Sequence, residues 1–233
     1  MANESSAFPH HPKGSRPGFV FSLYKQVPVM RRFAVILGAL VLTFLPYTAD
    51  AQPEELPLGS SLPSTDASLQ RVDGTSVTVE ALLGSTATVF IFWSNQCPWV
   101  NKYESRVQAL VEDFKGEDVQ VVLVNANDAS AFPKESLAAS RARSQEADYT
   151  APYVKDAGGT LAMALGASRT PHAFVFDGTN TLVYAGTIDD SPGDPSNVSK
   201  PYLRNAIQAV VSGSEVPVAD TRAFGCMIKL PNG

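Results

Sequence analysis

Cys97 and Cys226 are the only cysteines among the 233 residues of the chain. Cys97 lies in F-I-F-W-S-N-Q-C-P-W-V, residues 90–100. A thiol there can be a nucleophile, half of a structural disulfide, or a small apolar residue in a core. Its neighbours favour the first role. An apolar run ends just before it, and Pro98 follows. Proline suits the first position of a helix, where its missing N–H would be unpaired anyway. Cys97 is therefore predicted at a helix N-cap. A thiolate at that point can accept hydrogen bonds from the next amides and feels the positive end of the helix dipole. Both effects favour the charged sulfur, and the thiolate is the nucleophile.

Thr170-Pro171 opens a second segment of interest, R-T-P-H-A-F-V-F-D. Proline is tolerated at the first residue of a strand because it owes the ladder no bond. A sharper reading is a cis peptide beside Cys97, leaving a backbone edge free to hold a peptide or thiol ligand. Trp99 either covers one side of the thiol or is an exposed aromatic. Asn95 and Gln96 either line it or cap the loop. Arg169 either brings positive charge near the sulfur or is a solvated surface residue. Asp189 and Asp190 lie in an acidic loop that lacks the spacing of a calcium loop. His172 is the only histidine after the leader, so the Cys/His spacing of a zinc site is absent. No cofactor is expected.

These residues need a framework and a compartment. From Met30 the chain reads M-R-R-F-A-V-I-L-G-A-L-V-L-T-F-L-P-Y-T-A-D-A-Q. Two arginines, thirteen apolar residues and the small-x-small triplet Ala49-Asp50-Ala51 have the pattern of a secretory signal peptide, with cleavage after Ala51. The apolar run falls short of the ~20 residues a spanning helix needs. Residues 1–29 have no periodicity, and translation is expected to begin at Met30. Residues 1–51 hold five of the 18 basic and two of the 23 acidic residues, so the remainder has 13 and 21, a net charge of −8. Such a chain offers nucleic acid no clustered positive charge. An exported, periplasmic or extracellular protein meets an oxidising environment. Two cysteines are too few for a disulfide scaffold.

Residues 52–67 are rich in proline and serine and read as a flexible linker. A domain over residues 68–213 follows, and then a tail, 214–233, carrying Cys226. Leu69 to Val79 reads as a hairpin turning at Asp73-Gly74. Thr86 to Trp93 and Val119 to Val124 are continuous apolar runs that suit strands buried on both faces. Val100, Tyr103, Val107, Leu110 and Phe114 recur at helical spacing. Lys134 to Ala147 and Thr160 to Leu165 are further helices, the second closed by Gly166. Ala173 to Phe176 and Thr181 to Ala185 form a closing hairpin, and Tyr202 to Val211 is the last helix. The order β–α–β–α–β–β–α behind a hairpin implies an α/β fold with a central mixed sheet and helices on both faces.

F-W-S-N-Q-C-P-W-V resembles the active-site segment of thioredoxins, and R-T-P-H-A-F-V-F-D resembles their cis-proline segment. Four ordered motifs resemble the peroxiredoxin-like branch of that superfamily more closely. They are C-P-W-V from 97, G-A-S-R-T-P-H-A-F-V-F-D from 166, G-T-I-D-D from 186 and G-C-M-I-K from 225. The resemblance covers roughly residues 65–230. It implies a thioredoxin-like fold, Cys97 as the redox nucleophile, and Thr170, Pro171, Trp99 and Ser94 around its substrate. Two departures stand out. Val100 occupies the place of the second thioredoxin cysteine, so no disulfide can form across one helical turn. Phe90 and Ser94 replace the peroxiredoxin proline and threonine.

A sulfenic acid or mixed disulfide at Cys97 needs a second thiol to resolve it. Cys226 is one candidate for that role; a structural bridge and a free tail cysteine are the alternatives. The functions implied are a thiol-disulfide oxidoreductase, a thiol peroxidase, or a non-catalytic binding module. Their partners would be protein or small thiols and disulfides or peroxides, with an external thiol as electron donor.

Overall fold

The computed structural model describes residues 54–231. The leader and its expected cleavage site lie outside the described residues. Strands β1 (Ser68–Arg71) and β2 (Ser76–Thr78) form the expected hairpin. Then come β3 (Ala87–Phe92), α1 (Pro98–Asp113), β4 (Val119–Asn125), α2 (Leu137–Glu146), β5 (Tyr153–Lys155) and α3 (Thr160–Leu165). The chain continues through β6 (Arg169–Thr170), β7 (His172–Asp177), β8 (Leu182–Gly186), α4 (Tyr202–Val211) and β9 (Cys226–Met227). Seven strands make one mixed sheet in the order β2-β1-β5-β4-β3-β7-β8. β3 runs parallel to β4 and antiparallel to β7. The fold is thioredoxin-like.

Every residue of β3 is buried, as a central strand requires. Its alternation feeds two cores. Val89 and Ile91 meet Val100, Tyr103, Val107 and Leu110 of α1 and Leu203 and Ile207 of α4. Phe90 and Phe92 face the other way, against Leu161 and Leu165 of α3. There Phe90 packs edge-on against Phe176 at 6.1 Å and Phe92 against Phe174 at 5.8 Å. Such pairs add about 0.5–1.5 kcal/mol each beyond the area they bury.

Three features differ from the sequence reading. The strand β5 was not expected; it has only three residues between Pro152 and Asp156, yet it joins the hairpin to β4. The helix expected over Lys134 to Ala147 is broken: a 3-10 turn at Pro133–Glu135 precedes α2, which Ser136 caps by accepting the Ala139 N–H. The segment read as a flexible linker is docked where it is described. Leu56 N–H donates to Leu165 O, Gly59 N–H to Leu182 O and Leu62 N–H to Asn180 O. Leu62 is buried in the second core, so leucines spaced between the prolines outweigh the linker-like composition. Gly166 ends α3 at φ +65°, and a Cβ there would stand 2.1 Å from Glu54 O, so glycine serves both the cap and this docking.

Candidate active site

β3 delivers Ser94 to Gln96 to one end of the sheet, and α1 starts at Pro98 with Cys97 as its N-cap. The helix start is as expected, but the sulfur is used differently. Cys97 Sγ accepts no capping hydrogen bond from the first turn. It is buried, 2% exposed, and donates to Thr170 O at 3.1 Å. The Thr170-Pro171 peptide is cis. Beside it β9 pairs antiparallel with β6, setting Cys226 opposite Thr170 and Met227 opposite Arg169. The two sulfurs are 2.6 Å apart, and both cysteines are free thiols.

Gly225 permits this approach. Its φ is +145°, and a Cβ would lie 2.1 Å from Thr170 O. Beyond Cys226 the tail stays seated: Ile228 is buried and its N–H donates to Ser168 O, while Lys229 N–H donates to Asn127 Oδ1. The slack of a tail thus becomes a fixed strand across the thiol.

Glu135 supports the loop from beneath. It is 3% exposed. Its Oε1 accepts from Ser94 Oγ at 2.7 Å and from Gln96 N–H at 3.2 Å; its Oε2 accepts from Asn95 N–H at 3.0 Å and Asn125 Nδ2 at 2.8 Å. Ser94 Oγ in turn accepts the Cys97 N–H at 3.1 Å. A buried carboxylate must be satisfied in this way. Lys155 Nζ donates to Asn125 Oδ1 and to Asn127 O, and burial pushes its pKa down to about 8. Glu135, Asn125 and Lys155 were not singled out in the sequence. Glu135 reads as part of the polar-faced helix expected from Lys134, and only the fold brings it under Cys97.

Burial first, and then the hydrogen bond and charge shared with Cys97, push the Cys226 thiol up to about 12. Cys226 therefore keeps its proton at neutral pH. A cavity of about 230 Å³ opens onto both sulfurs, lined by Gln96, Phe132, Glu135, Met227 and Lys229. A larger hollow of about 530 Å³, by Gly84, Val111 and Gln120, holds no thiol.

The other candidates spread out. Ser94 lies under the site; Trp99 is half-buried with its ring 4.7 Å from exposed Phe224 and does not line the cavity. Gln96 lines the cavity, and Asn95 bonds Lys134 O, Ser140 and Tyr153. Arg169 lines a separate hollow with Arg222 and Phe224. Asp189 accepts from Tyr103 and pairs with Arg106 at 2.6 Å, a structural clamp on its loop. Asp190 caps Ser199 and Lys200. His172 is buried against Phe174. Among the described residues no cluster of three His, Cys, Asp or Glu side chains is placed to hold a metal ion.

Residues 57–201 match the family model described as Redoxin. The chain belongs to the redoxin family. Redoxins act through thiols as oxidoreductases or peroxidases, and the present redoxin has that class of activity. A hypothetical protein of Sinorhizobium meliloti 1021 is 35% identical with TM-score 0.71, covering 78% of this chain and 99% of its own. An uncharacterised conserved protein of Geobacillus kaustophilus is 31% identical with TM-score 0.72, covering 78% and 97%. The peroxidoxin BcpB of Mycobacterium tuberculosis shares the fold at 16% identity and TM-score 0.51, covering 68% and 98%. A search of curated proteins gave no match. No described helix of the redoxin is long and apolar enough to cross a membrane.

Proposed function

We propose that this redoxin is an exported dithiol oxidoreductase in which Cys97 is the nucleophile and Cys226 resolves its product. The observation that carries the reading is the 2.6 Å separation of the two sulfurs, held by pairing of β9 with β6. Cys97 attacks a disulfide, forms a mixed disulfide and expels one thiolate. Cys226 then attacks Cys97 Sγ, releases the second thiol and leaves a Cys97–Cys226 disulfide. Two electrons pass to the substrate, and an external thiol donor returns them. The secretory pattern of residues 30–51 supports action in an oxidising compartment, where such a donor is needed for turnover. Thr170 and Pro171 flank the reacting sulfur, Ser94 orients the Cys97 amide, and Trp99 packs on Phe224 just before the Gly225-Cys226 strand.

Non-reducing mass spectrometry after oxidation tests this: a linked Cys97–Cys226 peptide is expected, and its absence overturns the pairing. A second reading, a thiol peroxidase, is favoured by the small cavity over the sulfurs. There Cys97 would form a sulfenic acid with loss of water or alcohol, and Cys226 would condense with it to the same disulfide and water. Stopped-flow oxidation by hydrogen peroxide decides it; a rate no greater than that of a free thiolate excludes the peroxidase.

A further inference from the structure

The backbone edge beside Cys97 could receive a peptide by adding a strand to Arg169–Thr170. In this structure the chain's own tail already occupies that edge. Cys226 stands opposite Thr170, and its sulfur lies where the sulfur of an incoming peptide disulfide would have to come. The occupation is built at several points. Gly225 lets the backbone lie against Thr170 O, Ile228 is buried, and Lys229 is tied to Asn127. Among the described residues, a cavity of about 230 Å³ on the side of Phe132 and Glu135 reaches Cys97. That space suits a small molecule, since pockets for drug-sized ligands run from about 300 Å³ upward.

We infer that β9 is a resident strand that closes the peptide-binding edge, so the oxidant of this site is a low-molecular-weight compound with a weak O–O or S–S bond, and protein disulfides are excluded. This rests on the dithiol reading above. Cys97 thiolate attacks one atom of that bond and breaks it, and the departing half leaves with the electron pair and takes a proton. Cys226 then attacks Cys97 Sγ, its proton goes to the second half, and the internal disulfide forms. A hydroperoxide yields an alcohol and water, and a small disulfide yields two thiols. The resident strand thus does two jobs: it excludes large substrates and supplies the resolving thiol without rearrangement.

The test uses the reduced full-length protein with hydrogen peroxide, hydroxyethyl disulfide and insulin as probes, following loss of the Cys97 thiol by alkylation and mass. At least one small probe should oxidise the wild type, and the two small probes separate peroxide from disulfide chemistry. Gly225→Ala forces a Cβ against Thr170 O, and Ile228→Ala removes the buried anchor two residues beyond Cys226. Each should raise the rate with insulin at least tenfold relative to wild type, with faster amide exchange in residues 225–229 as the sign that the strand has loosened. Cys226→Ser keeps the strand and should still exclude insulin. If both loosened variants react with insulin no faster than wild type, or if Cys226→Ser admits it as they do, the inference is overturned. If no probe oxidises Cys97 in any of these proteins, the dithiol reading itself fails, and the inference with it.

Discussion

Glu135 and Ser94 share a buried hydrogen bond of 2.7 Å, and through Ser94 the carboxylate reaches the amide of Cys97. One carboxylate thus fixes three consecutive residues, Ser94, Asn95 and Gln96, ahead of the thiol. The N-terminal end of α1 is positioned from below by a group forty residues further along the chain.

Glu135→Gln keeps the shape but turns one acceptor oxygen into a donor. At least one of its four partners loses its bond inside the protein, which costs about 1–3 kcal/mol. Chemical denaturation should read that loss. The variant should also lower the pKa of Cys226, because the Glu135 charge is one of the groups that raise it. Alkylation rate against pH measures this second effect, which a purely structural loss of packing would leave alone.

The reactivity of Cys226 in the reduced protein should be strongly pH-dependent. Cys226 is held up at about 12, so its thiolate fraction grows roughly tenfold per pH unit across the neutral and mildly alkaline range. A thiol of ordinary pKa would level off above about 8.5. Alkylation of Cys226 in the reduced protein should therefore keep accelerating to pH 10. In Cys226→Ser the adduct should persist, visible as a stable mass increment.

Lys155 should leave a signature in stability. Burial disfavours its charged form and brings its pKa from 10.5 to about 8. Between those values the folded state has released the proton while the unfolded chain still holds it. The unfolded state then binds more protons, so this group makes the protein more stable as pH rises from about 8 to 10.5. Lys155→Met should remove that rise. Urea unfolding of both proteins at pH 7.5 and 10 checks it, since the tyrosines titrate alike in each.

Arg106 and Asp189 tie α1 to the loop that precedes α4, at 2.6 Å with side chains only 15% and 4% exposed. Breaking such a pair leaves a charge without its partner. Asp189→Ala should cost about 3 kcal/mol, the lower end for buried pairs because Arg106 retains some solvent and its bonds to Ser191 O and Pro192 O. Thermal unfolding should show the loss, while Cys97 alkylation in the folded protein should be little changed.

Continuous apolar runs determined the strands β3, β4 and β7, which are buried on both faces, and the spacing of apolar residues with a closing glycine determined the helices α1, α3 and α4. Pro98 after an apolar run determined that Cys97 begins a helix. Short or compositionally polar pieces were not legible. The three residues of β5 become a strand only because two neighbours offer it ladders, and Leu56 to Leu62 docks only because β8 and α3 provide a place to bury its leucines. The site divides in the same way. Cys97, Thr170 and Pro171 stand out by local residue type and spacing, and Ser94 by the family resemblance. The use of Glu135, the hydrogen bond from Cys97 to Thr170 O and the seating of Cys226 were decided by tertiary structure. Hydrogen bonds between residues forty to 129 positions apart leave no local trace; they exist only when packing has removed water from both partners.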